Sequence, residues 1–465
     1  MKNNRTIRVY LPVGIVALCS VLFWLFGPFS NSLEPEDFKE NPGVGTVIKS
    51  PNDKRNYRNI RLENQLQVLL VSDPELKNSA LSLAVPVGSM ANPDQQLGLA
   101  HYLEHMLFLG SKRYPIINDY SKFMSQNGGH TNAYTSQKAT VYAFEINDKK
   151  FPEAIDRMAD VMSSPLLDIE YAEKEKQIVN AEHQTYFDND MRKFFALQRY
   201  TLNPLHPMSR FSTGTLETLK DKDGSDLHQE LVDFFDKYYS ANLMKVAIIS
   251  PRPIDELEAL SSSLLMQIPN KKSKIEPITP PLITKNQQGI VVEIHATADI
   301  KLLQANFLVP SLTEDYRFKA GGYISRLLGS DHRGGLSDSL QKRGLVESVM
   351  AGFYRDYSDQ FSQFSIQFQL TNKGVKSTDQ ILESLFSFIR LIEEQGINDL
   401  QFNEQKIGLE SQFKFLAKSS SFSYVMGLSA NMLTYSGKDI LYFPYRLDSF
   451  NSELVSGIFS HLTPS

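Results

Sequence analysis

The chain has 465 residues, 42% of them hydrophobic and 22% charged, the proportions of an ordinary soluble protein and not of a disordered or fibrous one. A formal net charge of −5 excludes the basic footprint of a nucleic-acid binder, and one cysteine leaves no intrachain disulfide to rely on. This length is expected to hold two or three domains.

The N-terminus differs from the rest. Lys2, Arg5 and Arg8 precede an apolar run from Val9 to about Phe29, a positive segment followed by a long hydrophobic one. A bilayer span needs about 20 residues, so the run is long enough to cross one. Ser30-Asn31-Ser32 supplies small residues for cleavage. Residues 1–32 are therefore expected to be a signal peptide or an uncleaved N-terminal membrane anchor in the inner membrane. Either way the body is exported. Cys19 lies in this run, and Val16-Ala17-Leu18 before it lacks the small residue that should directly precede a lipidated cysteine. An exported body without disulfides fits the periplasm of a Gram-negative bacterium. Residues 33–56 are polar, with Pro35, Pro42 and Pro51, and read as a tether.

From residue 57 the pattern is globular. Alternation at Ile60, Leu62, Leu66, Val68 and Leu70 marks strands, and Leu81-Ser82-Leu83-Ala84-Val85 marks another. Next comes His101-Tyr102-Leu103-Glu104-His105, inside an apolar helix with Pro93 and Asp94 before it and Gly110 after it. Two histidines four apart on a helix share a face and can grip one metal ion, and Glu104 reaches the same face. The order H-x-x-E-H is the inverse of the H-E-x-x-H zinc motif, in which the acid polarises a metal-bound water. Three ionisable groups in an apolar helix are costly unless paired or metal-bound.

Asn127-Gly128-Gly129-His130 reads as a turn leading into the strand-like Thr131 to Thr135, and Val141 to Ile146 as a strand. Phe151 to Ser163 reads as a helix. Glu170 to His183 reads as another, with Glu175, Ile178, Val179 and Glu182 on one stripe. Catalytic zinc usually takes three protein ligands. Either carboxylate can be the third, the other orienting a histidine, and periodicity does not choose between them. His130, His183, His206, His228, His295, His332 and His461 lack ligand spacing. Val246 to Ser250 closes this part as a strand, and the mixture without strict alternation indicates an α+β layered fold.

Residues 269–289, polar and proline-containing, read as a linker between a domain at 57–268 and another at 290–465. The pattern then restarts. Leu303 to Pro310 echoes Leu81 to Pro86, and Ala320 to Ser330 echoes the metal helix, both helices closing on Leu-Gly-Ser. At this offset of 219 positions, His101, Glu104 and His105 fall on Ala320, Tyr323 and Ile324. The second unit is thus expected to be a duplicate without a metal site.

The chain resembles the pitrilysin/insulin-degrading enzyme family of zinc metallopeptidases. The resemblance rests on H-x-x-E-H followed after 76 residues by Glu182, on Gly98 to Met106, on Ser111-Lys112-Arg113-Tyr114-Pro115 and on Lys237 to Met244. It implies two homologous layered units, the first holding zinc and the second inactive. One Zn2+ would be bound by His101, His105 and Glu182, with Glu175 supporting the site from behind and Glu104 as catalytic base. It also implies an edge strand beside the zinc at Asn132, Ala133 and Tyr134, which pairs with the extended substrate backbone. The function implied is a zinc-dependent endopeptidase acting on peptides or small unfolded proteins. Family members carry four units in two halves, the second half supplying an Arg and a Tyr that hold substrate. Here two units are read, the second stopping where its closing strand should begin. The alternative is therefore a non-catalytic or partner-dependent half of a split or truncated enzyme, needing a C-terminal-half subunit or another copy.

Overall fold

The computed structural model describes residues 47–185, 189–294, 296–395, 399–435 and 437–464. The expected signal or anchor, and most of the tether, lie outside the described residues. Among the described residues no helix is long and apolar enough to cross a membrane.

A six-stranded sheet forms first, in the order β1 (Asn56–Arg61), β2 (Gln67–Ser72), β6 (Lys245–Ser250), β3 (Asn78–Val85), β5 (Thr140–Asn147), β4 (His130–Thr135). β2 and β6 are parallel, and the other pairs are antiparallel. β3 is buried on both faces, which its alternation of large and small residues anticipates. Leu81, Leu83 and Val85 share one core with Leu103 and Met106 of α1 (Leu99–Leu107) and with Ile155 and Met158 of α3 (Phe151–Ser163). α2 (Asp119–Gln126) follows α1, and α4 (Ile169–Thr185), α5 (Asp190–Tyr200), α6 (Leu227–Tyr238) and α7 (Ile254–Leu265) complete this part.

The second unit repeats the order. β7 (Leu302–Pro310), α8 (Ala320–Gly329), α9 (Leu336–Lys342), β8 (Val346–Tyr354), β9 (Phe361–Leu370), α10 (Thr378–Gln395) and α11 (Asp399–Lys414) run as β3, α1, α2, β4, β5, α3 and α4 do. The three-stranded sheet has the order β7-β9-β8, antiparallel throughout, which is that of β3-β5-β4. Ala320, Tyr323 and Ile324 are buried apolar residues at the positions of the metal motif. Tyr323 and Phe402, one on α8 and one on α11, both pack on Phe450 at ring distances of 5.5 and 5.3 Å. Aromatic packing thus joins the two helices whose counterparts, α1 and α4, carry the H-x-x-E-H motif and Glu182.

The two units are not joined by the chain alone. After α11 comes α12 (Ser421–Asn431), which packs on the far face of the first sheet; α13 (Ser452–Phe459) returns to the second core. The far face is lined with small residues, Ala80, Ala84, Ala143 and Ala247, so the helix comes close enough for Ser82 and Ser429 hydroxyls to meet at 2.8 Å. The segment read as a linker is also docked. Leu282 is buried, and its carbonyl accepts from Asn203 N–H at 2.9 Å while its N–H donates to Gln360 Oε1 at 3.0 Å.

Candidate metal centre

α1 is apolar on the side that meets the sheet, so its polar residues are thrown onto one border. Its N-terminus is capped from a distance: Asn92 Oδ1 accepts from Ala100 N–H at 2.8 Å. Pro93 and Asp94, expected at the helix start, lie in the turn between them. Gly98 takes φ +98°, and a Cβ there would lie 2.2 Å from Gly214 Cα. This close approach brings Thr213 to His101. α4 is fastened to α1 by the Tyr102 hydroxyl, which donates to Ala172 O at 2.8 Å.

α4 faces the motif with Ala172, Glu175, Val179 and Glu182. Ile178, read on the same stripe, is instead 39% exposed, because the face centred on Ala172, Glu175, Val179 and Glu182 is narrower than the stripe and leaves it on the flank. Glu182 Oε2 lies 3.6 Å from His101 Nε2 and 3.6 Å from His105 Nε2. The two imidazoles are edge-on, with centroids 4.9 Å apart. The other nitrogen of each ring is engaged: His101 Nδ1 is 2.7 Å from Thr213 O, and His105 Nδ1 is 3.5 Å from Glu175 Oε2. A carbonyl and a carboxylate can only accept, so the protons are drawn to Nδ1. In the neutral rings both Nε2 lone pairs then face Glu182 Oε2, an arrangement that a shared cation completes.

Among the described residues, His101, His105 and Glu182 form a group whose donor atoms lie within 4.8 Å of one another. Metal–ligand bonds of about 2.0–2.2 Å set tetrahedral ligand atoms roughly 3.4 Å apart, so the spacing fits one cation. The nitrogen and oxygen donors suit zinc. Burial of His101 disfavours its charged form, while His105 is raised: burial opposes protonation there, but Glu175, Glu182 and Glu104 outweigh it. Glu104 is buried, and that burial, partly offset by the Thr135 hydroxyl and by His105, pushes its carboxyl up to about 7.

Asn132, Ala133 and Tyr134 lie on β4, which ends the sheet order and pairs only with β5 among the described residues. The strand packs beside α1 through Thr135, whose hydroxyl donates to Glu104 Oε2 at 2.5 Å. His130 is exposed, its ring 4.6 Å from Phe422, and His183 packs edge-on to Phe211 at 5.2 Å. Sequence reading missed Thr213 and Thr135. Glycines at 98 and 214 were the one available sign of a close backbone approach.

Residues 67–205 match "Insulinase (Peptidase family M16)", 226–409 the "Peptidase M16 inactive domain", and 413–465 the "Middle or third domain of peptidase_M16". The chain belongs to peptidase family M16. It is 38% identical to Protease 3 of Escherichia coli (strain K12) over 419 residues, 90% of this chain and 44% of that protein. The crystal structure of pitrilysin superposes with a TM-score of 0.85 at 37% identity, covering 90% of this chain and 45% of that one. A protease from Helicobacter pylori shares the fold, with a TM-score of 0.66 at 19% identity, over 88% of this chain and 97% of that one. The chain thus spans under half the length of the curated M16 relative and of pitrilysin, and its two units correspond to an active and an inactive M16 domain.

Proposed function

We propose that the chain is a zinc-dependent endopeptidase of family M16 that hydrolyses peptides or small unfolded proteins. The observation that carries this reading is the convergence of His101 Nε2, His105 Nε2 and Glu182 Oε2 with both Nδ1 atoms held by acceptors. These three residues hold the ion, and Glu175 fixes the ring of His105 from behind. Bound there, zinc supplies Lewis acidity toward the scissile carbonyl and acidifies water. Glu104 accepts a proton from the attacking water and returns it to the leaving amine nitrogen. The open edge of β4 at Asn132, Ala133 and Tyr134 takes the substrate backbone by strand addition, which tolerates many sequences.

The periplasm is the proposed compartment, reached through the basic and apolar segment at residues 1–32. Protease 3 is more than twice as long as the part matched here, which favours a second reading. In it the same centre needs a partner subunit for full turnover. The test for the first reading is hydrolysis of a quenched fluorescent peptide by purified zinc-loaded chain. Glu104→Gln is expected to keep one zinc per chain and lose activity by about 10²-fold or more. Retained hydrolysis removes Glu104 from its role, and a folded chain that takes up no zinc removes the whole reading.

A further inference from the structure

Glu104 is only 8% exposed, and a carboxylate so placed needs a donor from outside its own helix. Thr135 supplies it, at 2.5 Å. Among the described residues, the other hydroxyl within hydrogen-bond reach of Thr135 is that of Thr140, at 3.4 Å. Thr140 commits its own proton to Val87 O at 2.8 Å. It therefore offers Thr135 only a lone pair, at a distance too long for a good O–H···O bond. The Thr135 proton goes to the carboxylate.

The backbone that carries this hydroxyl has little freedom. Thr135 faces Thr140 across the hairpin, Ser136 N–H donates to Ala139 O at 2.8 Å, and Ser136 O accepts from Ser89 N–H at 2.9 Å. Ser136 O also sits where a side chain at position 88 would be, 2.2 Å from the place of a Cβ on Gly88. The hydroxyl is thus set by the hairpin, not by the rotamer of a mobile surface residue.

We propose that Thr135 is a positioning residue for Glu104. Its hydroxyl clamps Oε2 and leaves the other carboxylate oxygen to the water, so that the strand receiving the peptide also aims the base. This rests on the peptidase reading given above. A threonine closing the edge strand ties two events that could otherwise be independent: the peptide aligns on β4, and β4 holds the carboxylate that acts on it.

The experiment uses the full chain and two readouts. In metal-free protein, Thr135→Val is expected to lower the melting midpoint by about 2 °C or more. The same change is expected to have no effect once Glu104→Leu is present, because the partner is gone. In zinc-loaded protein, Thr135→Val is expected to cut kcat by about tenfold with KM held within about twofold and zinc stoichiometry unchanged, and Thr135→Ser to recover most of the loss. Thr135→Ala replaces the valine variant, with the same expectations, if the latter does not fold. Additive melting effects overturn the proposal, as does wild-type kcat without the hydroxyl. A wild-type chain that binds zinc yet cleaves nothing refutes the peptidase reading instead, and the melting cycle then decides the contact alone.

Discussion

At the scale of single residues, the centre is defined as much by what holds the ligands as by the ligands. His101 and His105 occupy equivalent helix positions but have different partners, a backbone carbonyl for one and a carboxylate for the other. In the proposed centre the Glu175 contact is one between charges and is testable by side-chain substitution, whereas the Thr213 carbonyl is not. Glu175→Gln keeps an acceptor near Nδ1 but loses the negative charge. It is expected to weaken zinc binding by about 10–100-fold, measured by competition with a chelator, and to leave the fold intact. Unchanged affinity would mean that Glu175 is a spectator. The histidines and acids were legible because helical periodicity collects them onto one face. Periodicity did not choose between Glu175 and Glu182, and placed Ile178 wrongly, because a stripe read at three- and four-residue steps is wider than the face that packs.

At the scale of elements, α1 is held by contacts that come from far along the chain. Asn92 caps it from eight residues before Ala100, and the loop at Thr213 and Gly214 closes over it. Gly98 makes that closure possible, since its φ of +98° is one a side chain rarely adopts and its missing Cβ leaves room for Gly214. Gly98→Ala is expected to destabilise the protein by about 2 kcal/mol or more. It should also weaken zinc binding, because displaced Thr213 no longer fixes the His101 ring. Denaturant melts with and without zinc check both, and an unperturbed alanine variant would show that the loop has slack. The repeat was readable at this scale, since the Leu-Gly-Ser helix ends and the strand before each helix follow local pattern. The apolar fill of the second unit followed from the same offset. The match of strand order, β4-β5-β3 against β8-β9-β7, did not, because pairing partners are chosen across loops whose paths no local pattern encodes.

At the scale of the whole molecule, each unit has its own core, and the back of the first sheet is covered by a helix from beyond the second repeat. α12 belongs to the sequence after the second repeat, yet Val425, Leu428 and Met432 pack on Leu69, Val71 and Ile249 of the first sheet. Lys138, in the hairpin turn that follows Thr135, is paired with Asp359 of the second unit at 2.6 Å. The unit that carries the candidate metal centre is thus completed by residues more than a hundred positions away. Leu428→Ala, deep in that contact, is expected to cost about 2–5 kcal/mol. The loss should appear as one lowered transition whose midpoint still rises with zinc. An unchanged zinc-dependent transition would mean that the first unit stands without α12.

By itself the sequence determined the metal motif, the distance to Glu182, the alternation of strands and helices, and the duplication with an emptied second site. The motif and the elements are set by chemistry or periodicity within one stretch and the duplication by comparing two stretches, whereas the spacing to Glu182 took its meaning from the resemblance to a family. Only the tertiary structure decided which nitrogen of each histidine faces the common point, which hydroxyl holds Glu104, and which distant helix covers the back of the sheet. Those depend on backbone carbonyls, hydroxyls and small residues, which are abundant and unpatterned along a chain and acquire a role only when folding brings them within a few ångströms of a partner.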